Sequence, residues 1–253
     1  MKIEKIKNEK KKGKLFFMLK GSDEVFINTI RRLIVEEVPT LAIEDLEIKE
    51  NNSALYDEML GLRLGLIPIV TDLKSYNLKS KCKCGGSGCA QCELKISLKS
   101  NKKGYVYAEE AESTDPKCTF AYPKMPVVKL LAKQKIDLSM TAVMGAGKQH
   151  TKWSPGLGYY KKEPVIKIGK VVNPTLIVDS CPKDVFSVKG SKLEINEDKL
   201  YDCHLCQQCV ELDPNITFEE SNNLLFYLES WGQLRCKEKL NKCIENLSTL
   251  KKR

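Results

Sequence analysis

Four cysteines within eleven residues, Cys82, Cys84, Cys89 and Cys92, constrain this chain more than any other stretch. Their spacing, C-x-C-x4-C-x2-C, gathers four thiolates onto one turn, and Gly85, Gly86 and Gly88 supply the backbone freedom that such a turn needs. Four sulfurs and no histidine suit a closed tetrahedral site, so the spacing predicts a structural zinc with no open position for hydrolytic chemistry. An iron–sulfur cluster on the same loop and a metal-free thiol loop are the alternatives. The last gives no packing reason for four thiols among glycines.

The chain holds eleven cysteines, and a second group is Cys181-Pro182 with Cys203, Cys206 and Cys209. This resembles half of the bacterial ferredoxin pattern. There C-x2-C-x2-C-x3-C-P occurs twice, and each fourth cysteine, the one before proline, ligates the other cluster. Cys203, Cys206, Cys209 and the distant Cys181 therefore predict one cluster. The positions that would ligate a second cluster hold Val171, Pro174, Ile177 and Asp213, the last still followed by Pro214. All four ligands are missing together, as the loss of one whole site would leave. Four thiolates favour [4Fe–4S] over a three-iron form, and a zinc ion on the same sulfurs is the remaining alternative. His204, beside Cys203, reads as a bystander. Cys118, Cys236 and Cys243 fit no ligand spacing, and the last two read as packing residues.

Patterned cysteines in a chain of 253 residues point to metals in a reducing compartment rather than to disulfides. Residues 1–14 are rich in Lys and Glu and lack the apolar core of a signal peptide, and no apolar run approaches the ~20 residues of a membrane helix. The expectation is a cytoplasmic protein without a membrane segment. A net charge of +9 leaves nucleic acid, an acidic partner or simple solubility open. The tight basic runs, Lys10 to Lys12 and Lys251 to Arg253, read as solvated surface. No Ser/His/Asp set or paired-carboxylate site is recognisable, and Gly145-Ala146-Gly147-Lys148 lacks the P-loop spacing.

Local patterns predict an α+β chain. A hairpin turns at Lys12-Gly13, with Lys14 to Lys20 as its second strand. A helix capped by Ser22 carries Phe26, Ile30, Leu33 and Ile34 at helical spacing and stops at Pro39. Strands follow at Leu41 to Ile48, and at Leu66 to Val70 after a short helix from Tyr56. A further strand alternates at Leu94, Ile96 and Leu98. The clearest strand runs from Ile136 to Met144 in strict period two. Later strands are expected at Tyr159 to Ile168 and Leu224 to Glu229. A final helix carries Cys236, Leu240, Cys243, Ile244 and Leu247 on one face.

Three stretches then resemble one family, the D-type assembly subunits of archaeal RNA polymerase, related to the third-largest subunit of nuclear polymerases and to the bacterial alpha N-terminal domain. They are FINTIRRLIVEEVP (Phe26 to Pro39), DEMLGLRLGLIP (Asp57 to Pro68) and GAGKQHTKWSPG (Gly145 to Gly156). The ferredoxin-like insert is similar to a feature of many archaeal members.

This resemblance implies an alpha-N-terminal-domain-like dimerisation domain, built from about 1–45, 152–170 and 214–253. A mostly-β domain (46–151) and a ferredoxin-like cluster domain (171–213) are inserted into it. It implies a non-catalytic scaffold that pairs with a smaller subunit, L, and so recruits the large catalytic subunits, with the small subunits N and P docked alongside. Phe26, Ile30, Leu33, Ile34, Leu240, Ile244 and Leu247 would supply the interface to L. Asp57, Arg63, Lys148, His150, Lys152 and Trp153 would face other polymerase partners or support the fold, and no residue would touch nucleotide. An iron–sulfur electron carrier is the rival reading, and only about 43 residues are ferredoxin-like. A nucleic-acid module would need aromatic interleaving that the basic runs lack.

Overall fold

The computed structural model describes residues 1–219 and 221–250. In chain order its elements are β1 (Lys2–Glu9), β2 (Lys14–Lys20), α1 (Glu24–Glu37), β3 (Thr40–Asn51), α2 (Asp57–Leu66), β4 (Glu93–Ser100), β5 (Gly104–Tyr107), β6 (Glu112–Ser113), β7 (Pro126–Leu130), β8 (Ile136–Gly145), β9 (Gly156–Lys162), β10 (Val165–Ile168), α3 (Pro174–Ser180), β11 (Phe186–Lys189), β12 (Lys192–Ile195), α4 (Glu197–Leu200), α5 (Gln208–Leu212), β13 (Ile216–Glu219), β14 (Leu224–Ser230) and α6 (Cys236–Leu250). The fold is α+β. Strand orders are β1-β2-β14-β9 and β3-β8-β4-β6 in two four-stranded sheets, with two-stranded pairs β5-β7, β10-β13 and β11-β12.

Two compact units emerge from the chain. One gathers Met1–Ile6, Phe16–Ile27 and Tyr160–Phe226; the other gathers Lys7–Leu15, Asn28–Tyr159 and the described residues from Tyr227 onward. Segments 1–45, 152–170 and 214–253, grouped by the resemblance into one dimerisation domain, are thus divided between the two units.

The larger unit is organised by β8. Its alternating apolar side chains, Ile136, Leu138, Met140 and Ala142, are all buried. It pairs antiparallel with β3 on one side, from Thr40 opposite Gly145 to Asn51 opposite Ile136, and with β4 on the other. Helix α2 packs on β3 and buries Leu60 and Leu64, one turn apart. A single core joins these to Val127, Val128 and Leu130 of β7. The smaller unit has its own core of Ile166, Ile177, Val185, Phe186, Leu193 and Ile216, into which Cys203 and Cys209 also pack.

Several expectations shift. Asp23, not Ser22, caps α1, accepting from the Phe26 amide at 2.7 Å, because the helix begins one residue later. The strand expected at Leu66 to Val70 is absent: α2 continues to Leu66, and Ile69 makes only an isolated bridge to Phe120. The segment Tyr159 to Ile168 is two strands, interrupted at Glu163-Pro164, where proline has no amide for a ladder. Lys10 to Lys12 form an exposed 3-10 turn, while the basic run 251–253 lies outside the described residues.

Lys239 on α6 is fully buried, and its Nζ finds no hydrogen-bond partner among the described residues. Burial pushes its ammonium down to about 8 from 10.5, against the pull of Cys236 and Glu229. That difference corresponds to roughly 3 kcal/mol held against folding when the amine is charged. We expect Lys239→Met to raise Tm. Since the folded lysine loses its proton at lower pH than the unfolded one, the gain should be full below pH 8 and shrink as pH rises toward 10.5. Thermal unfolding across that range checks both sign and window.

Candidate metal centres

The first cysteine loop links a 3-10 turn (Lys79–Lys81) to the start of β4. Its two ends are tied by the Asn77 amide donating to the Gln91 carbonyl at 2.8 Å and by the Lys79–Glu93 ion pair at 2.8 Å. Gly86 and Gly88 take φ of 88° and 94°, which lets the chain double back between the cysteine pairs. The result brings Cys82 Sγ to 3.5 Å from Cys89 Sγ, with Cys92 Sγ 3.6 Å from Cys84 and 3.7 Å from Cys89. All four sulfurs lie within 4.8 Å of one another. A tetrahedral ion with ~2.3 Å metal–sulfur bonds requires sulfur separations of about 3.8 Å. The loop is therefore shaped to hold one metal ion.

The thiols differ sharply in acidity. The neighbouring Cys82 thiol and the Gly86 and Gly88 amides pull Cys84 down to about 6, while burial pushes Cys92 up to about 12. Metal binding must displace protons from the buried sulfurs.

In the smaller unit, Cys181, Cys203, Cys206 and Cys209 line one small pocket, with Val185, Phe186 and Phe218 in its wall. Cys203 and Cys209 are buried, Cys181 is half-buried and Cys206 is exposed. The segment from Cys203 to Cys209 turns through left-handed residues at Leu205 (φ 58°) and Gln207 (φ 62°), a conformation that non-glycine residues hold only when their surroundings require it. Alternating backbone of this kind aims amides inward, as anion and iron–sulfur sites do. The Val185 amide reaches Cys181 Sγ at 3.5 Å. Burial pushes the Cys203 and Cys209 thiols up. His204 lines the pocket too.

The positions of the missing second cluster are filled by ordinary protein contacts. Ile177 is buried in the core, Val171 packs on it, and Pro174 opens α3. Asp213 Oδ2 accepts from the Val172 amide at 3.0 Å, and its Oδ1 accepts from the Asn215 amide and side chain at 2.9 Å. These bonds hold its carboxyl below the usual range. A hydrogen-bonded carboxylate thus joins the two segments that a second cluster would have bridged. Nothing in the spacing marked this role, nor that of Lys161, whose Nζ donates to the Tyr201 and Cys203 carbonyls.

The expected partner-facing residues divide. Ile30, Leu33 and Ile34 are buried within the chain and not on its surface; Phe26, Leu240 and Leu247 are half-buried, and Ile244 is exposed. The reason is that α6 lies along α1: Cys243 Sγ is 3.7 Å from the Ile30 carbonyl, and Asn246 Nδ2 donates to the Glu37 carbonyl at 3.1 Å.

The motif residues serve the fold in large part. Arg63 donates to the Val127 and Pro126 carbonyls at 2.9 and 2.8 Å, and Asp57 accepts from Asn51 at 2.7 Å. Trp153 is buried, with its indole N–H on the Val143 carbonyl at 3.1 Å. Lys152 lies 4.4 Å over that ring, donates to the Ile43 carbonyl at 3.0 Å and pairs with Glu44. His150 Nδ1 accepts from the Lys152 amide at 3.1 Å, and the Lys148 amide donates to the Glu36 carbonyl at 3.0 Å. Gly145 and Gly147 are demanded by close approach: a Cβ would fall 2.3 Å from the Trp153 ring and 2.0 Å from the Val35 carbonyl. Packing, not phosphate binding, explains this glycine pair. No helix among the described residues is long and apolar enough to cross a membrane.

In metal-free protein at neutral pH, iodoacetamide should label Cys84 first and Cys92 last, and added zinc should protect all four thiols of the loop. Peptide mass spectrometry over a time course reads the order. Equal rates at Cys84 and Cys92 would contradict the geometry.

Known proteins match this arrangement. The family model described as the RNA polymerase Rpb3/RpoA insert domain matches residues 46–156. Among relatives named DNA-directed RNA polymerase subunit Rpo3, that of Methanosphaera stadtmanae is 38% identical over 90% of this chain and 88% of its own length. That of Methanosarcina mazei is 39% identical over 88% and 85%, and that of Archaeoglobus fulgidus 34% over 94% and 91%. With similarity of this extent over nearly the whole chain, the chain belongs to the Rpo3 family, the D-type assembly subunits of archaeal DNA-directed RNA polymerase.

Proposed function

We propose that the chain, a non-catalytic assembly subunit of a DNA-directed RNA polymerase, works by pairing with the smaller subunit L to form the platform for the large catalytic subunits, with N and P docked alongside. The observation that carries this reading is the near full-length match to Rpo3 subunits. The helices α1 and α6 form the face toward L. Ile244, Leu247, Leu240 and Phe26 make the contact, and Ile30, Leu33 and Ile34 act from beneath by holding α1 in place. Exposed Ile244, together with half-buried Leu240 and Leu247, leaves apolar surface on α6 that a partner would cover. The platform assembles in the cytoplasm, where reducing conditions keep the cysteines available as ligands.

Ile244→Asp should abolish co-purification with L while leaving the circular dichroism and Tm of the isolated chain unchanged, since the side chain is exposed. An intact heterodimer would sink this assignment. An electron carrier would instead arrive with a reductase.

Two metal centres complete the proposal. The loop at Cys82, Cys84, Cys89 and Cys92 holds zinc, supported by sulfur separations that suit a single tetrahedral ion. Cys181, Cys203, Cys206 and Cys209 hold one [4Fe–4S] cluster. What supports this is that all four line one pocket and keep half of the ferredoxin spacing. The cluster would supply a covalent clamp across two segments 22 residues apart, Cys181 and Cys203. Metal analysis of anaerobically purified protein should find one zinc and about four irons per chain. Cys206→Ser should lose the iron and the visible absorbance, and expose 171–213 to protease, while the L heterodimer survives. Protease resistance in that iron-free variant would argue against a structural cluster.

A further inference from the structure

We propose that Lys161 is a positioning residue for the iron–sulfur cluster: it pins the chain that carries three of the four cysteines and offsets the cluster's negative charge. This rests on the cluster reading above. Lys161 lies in β9, half-buried, and its Nζ donates to the Tyr201 carbonyl at 2.5 Å and the Cys203 carbonyl at 2.7 Å. The two acceptors flank Asp202, so one ammonium fixes both ends of the dipeptide step leading into the cysteine loop. Cys203, Cys206 and Cys209 all follow from that fixed point, and Leu205 and Gln207 are held left-handed just beyond it. One anchor therefore sets the entry of three ligands.

The charge argument is independent of the pin. The half-buried Nζ is met directly by two neutral carbonyls, and the negative groups near it are Asp202 and the Cys203 sulfur. Burying a charge in this way is costly unless opposite charge lies nearby. Four thiolates around a [4Fe–4S] core carry more negative charge than the core supplies positive, and they sit on the loop that Lys161 holds. Lys183, which lines the same pocket, adds a second cation without bonding to the cysteine loop. Lys161 is thus both a structural pin and a counter-charge.

The two roles separate in a pair of variants, Lys161→Met and Lys161→Gln, in the full chain purified anaerobically with its partner subunit. Both should retain iron. Both should shift the cluster midpoint, read by redox titration with electron paramagnetic resonance, to more negative potential, because a positive charge has gone. Lys161→Met should also lose its cluster to an iron chelator about ten-fold faster, as a charge-assisted hydrogen bond of typical strength would predict. Lys161→Gln, which keeps an N–H for the carbonyls, should lose it more slowly than Lys161→Met. Should Lys161→Met fail to fold, the midpoint of Lys161→Gln decides. Iron-bearing wild type with unchanged midpoint and bleaching in the variants would overturn this inference alone. Wild type that holds no iron would overturn the cluster reading and this inference with it.

Discussion

The larger unit depends on the register between β3 and β8. The two strands pair from Thr40 opposite Gly145 to Asn51 opposite Ile136, with irregularities between Ile43 and Asp45 and between Ile48 and Glu50. The buried side chains of β8 alternate, so a further slip of one residue would turn Ile136, Leu138, Met140 and Ala142 to the opposite face. With the register held, everything at the edges follows. On one side β8 receives β4, which starts directly after Cys92 and so fixes where the cysteine loop ends. At its end, Gly145 leads into the turn that returns Trp153 to the Val143 carbonyl and Lys152 to Ile43 of β3. Helix α2 covers β3 and hands Arg63 to the carbonyls of Pro126 and Val127. The second and third motifs thus read as struts around one strand pair.

The smaller unit solves a different problem. Its core is small, and two of its buried side chains are thiols. A domain of this size has little apolar area with which to offset the entropy of ordering its loops. On one side, sulfur ligands from two separated segments would supply a constraint once a cluster joins them. On the other, the Asp213 carboxylate ties the same two regions through amides.

On α1 and α6 depth separates the residues that pack the chain from those left at its surface. The inner stripe, Ile30, Leu33 and Ile34, is consumed inside the chain, and Cys243 closes over the Ile30 carbonyl. The outer edge leaves Ile244 in solvent.

The close grouping of Cys82, Cys84, Cys89 and Cys92, the period-two strand β8, helix α1, the α+β class and the family were legible in the sequence. Each rests on local spacing: thiols a few residues apart, alternation along a strand, or a contiguous motif. What tertiary structure alone decided depends on residues distant in sequence. Helical spacing identified Ile30, Leu33 and Ile34 as one apolar stripe, but a stripe reads the same whether its own chain or a partner covers it. The bonds of Trp153 to Thr40 and Val143, of Arg63 to Pro126 and Val127, and of Lys161 to Cys203 join points 10 to 113 residues apart. The same holds for Asp213 and Val172, separated by 41 residues. No periodicity encodes such pairs, because a side chain's partner is fixed by which strands lie side by side, and that is settled only when the chain has folded.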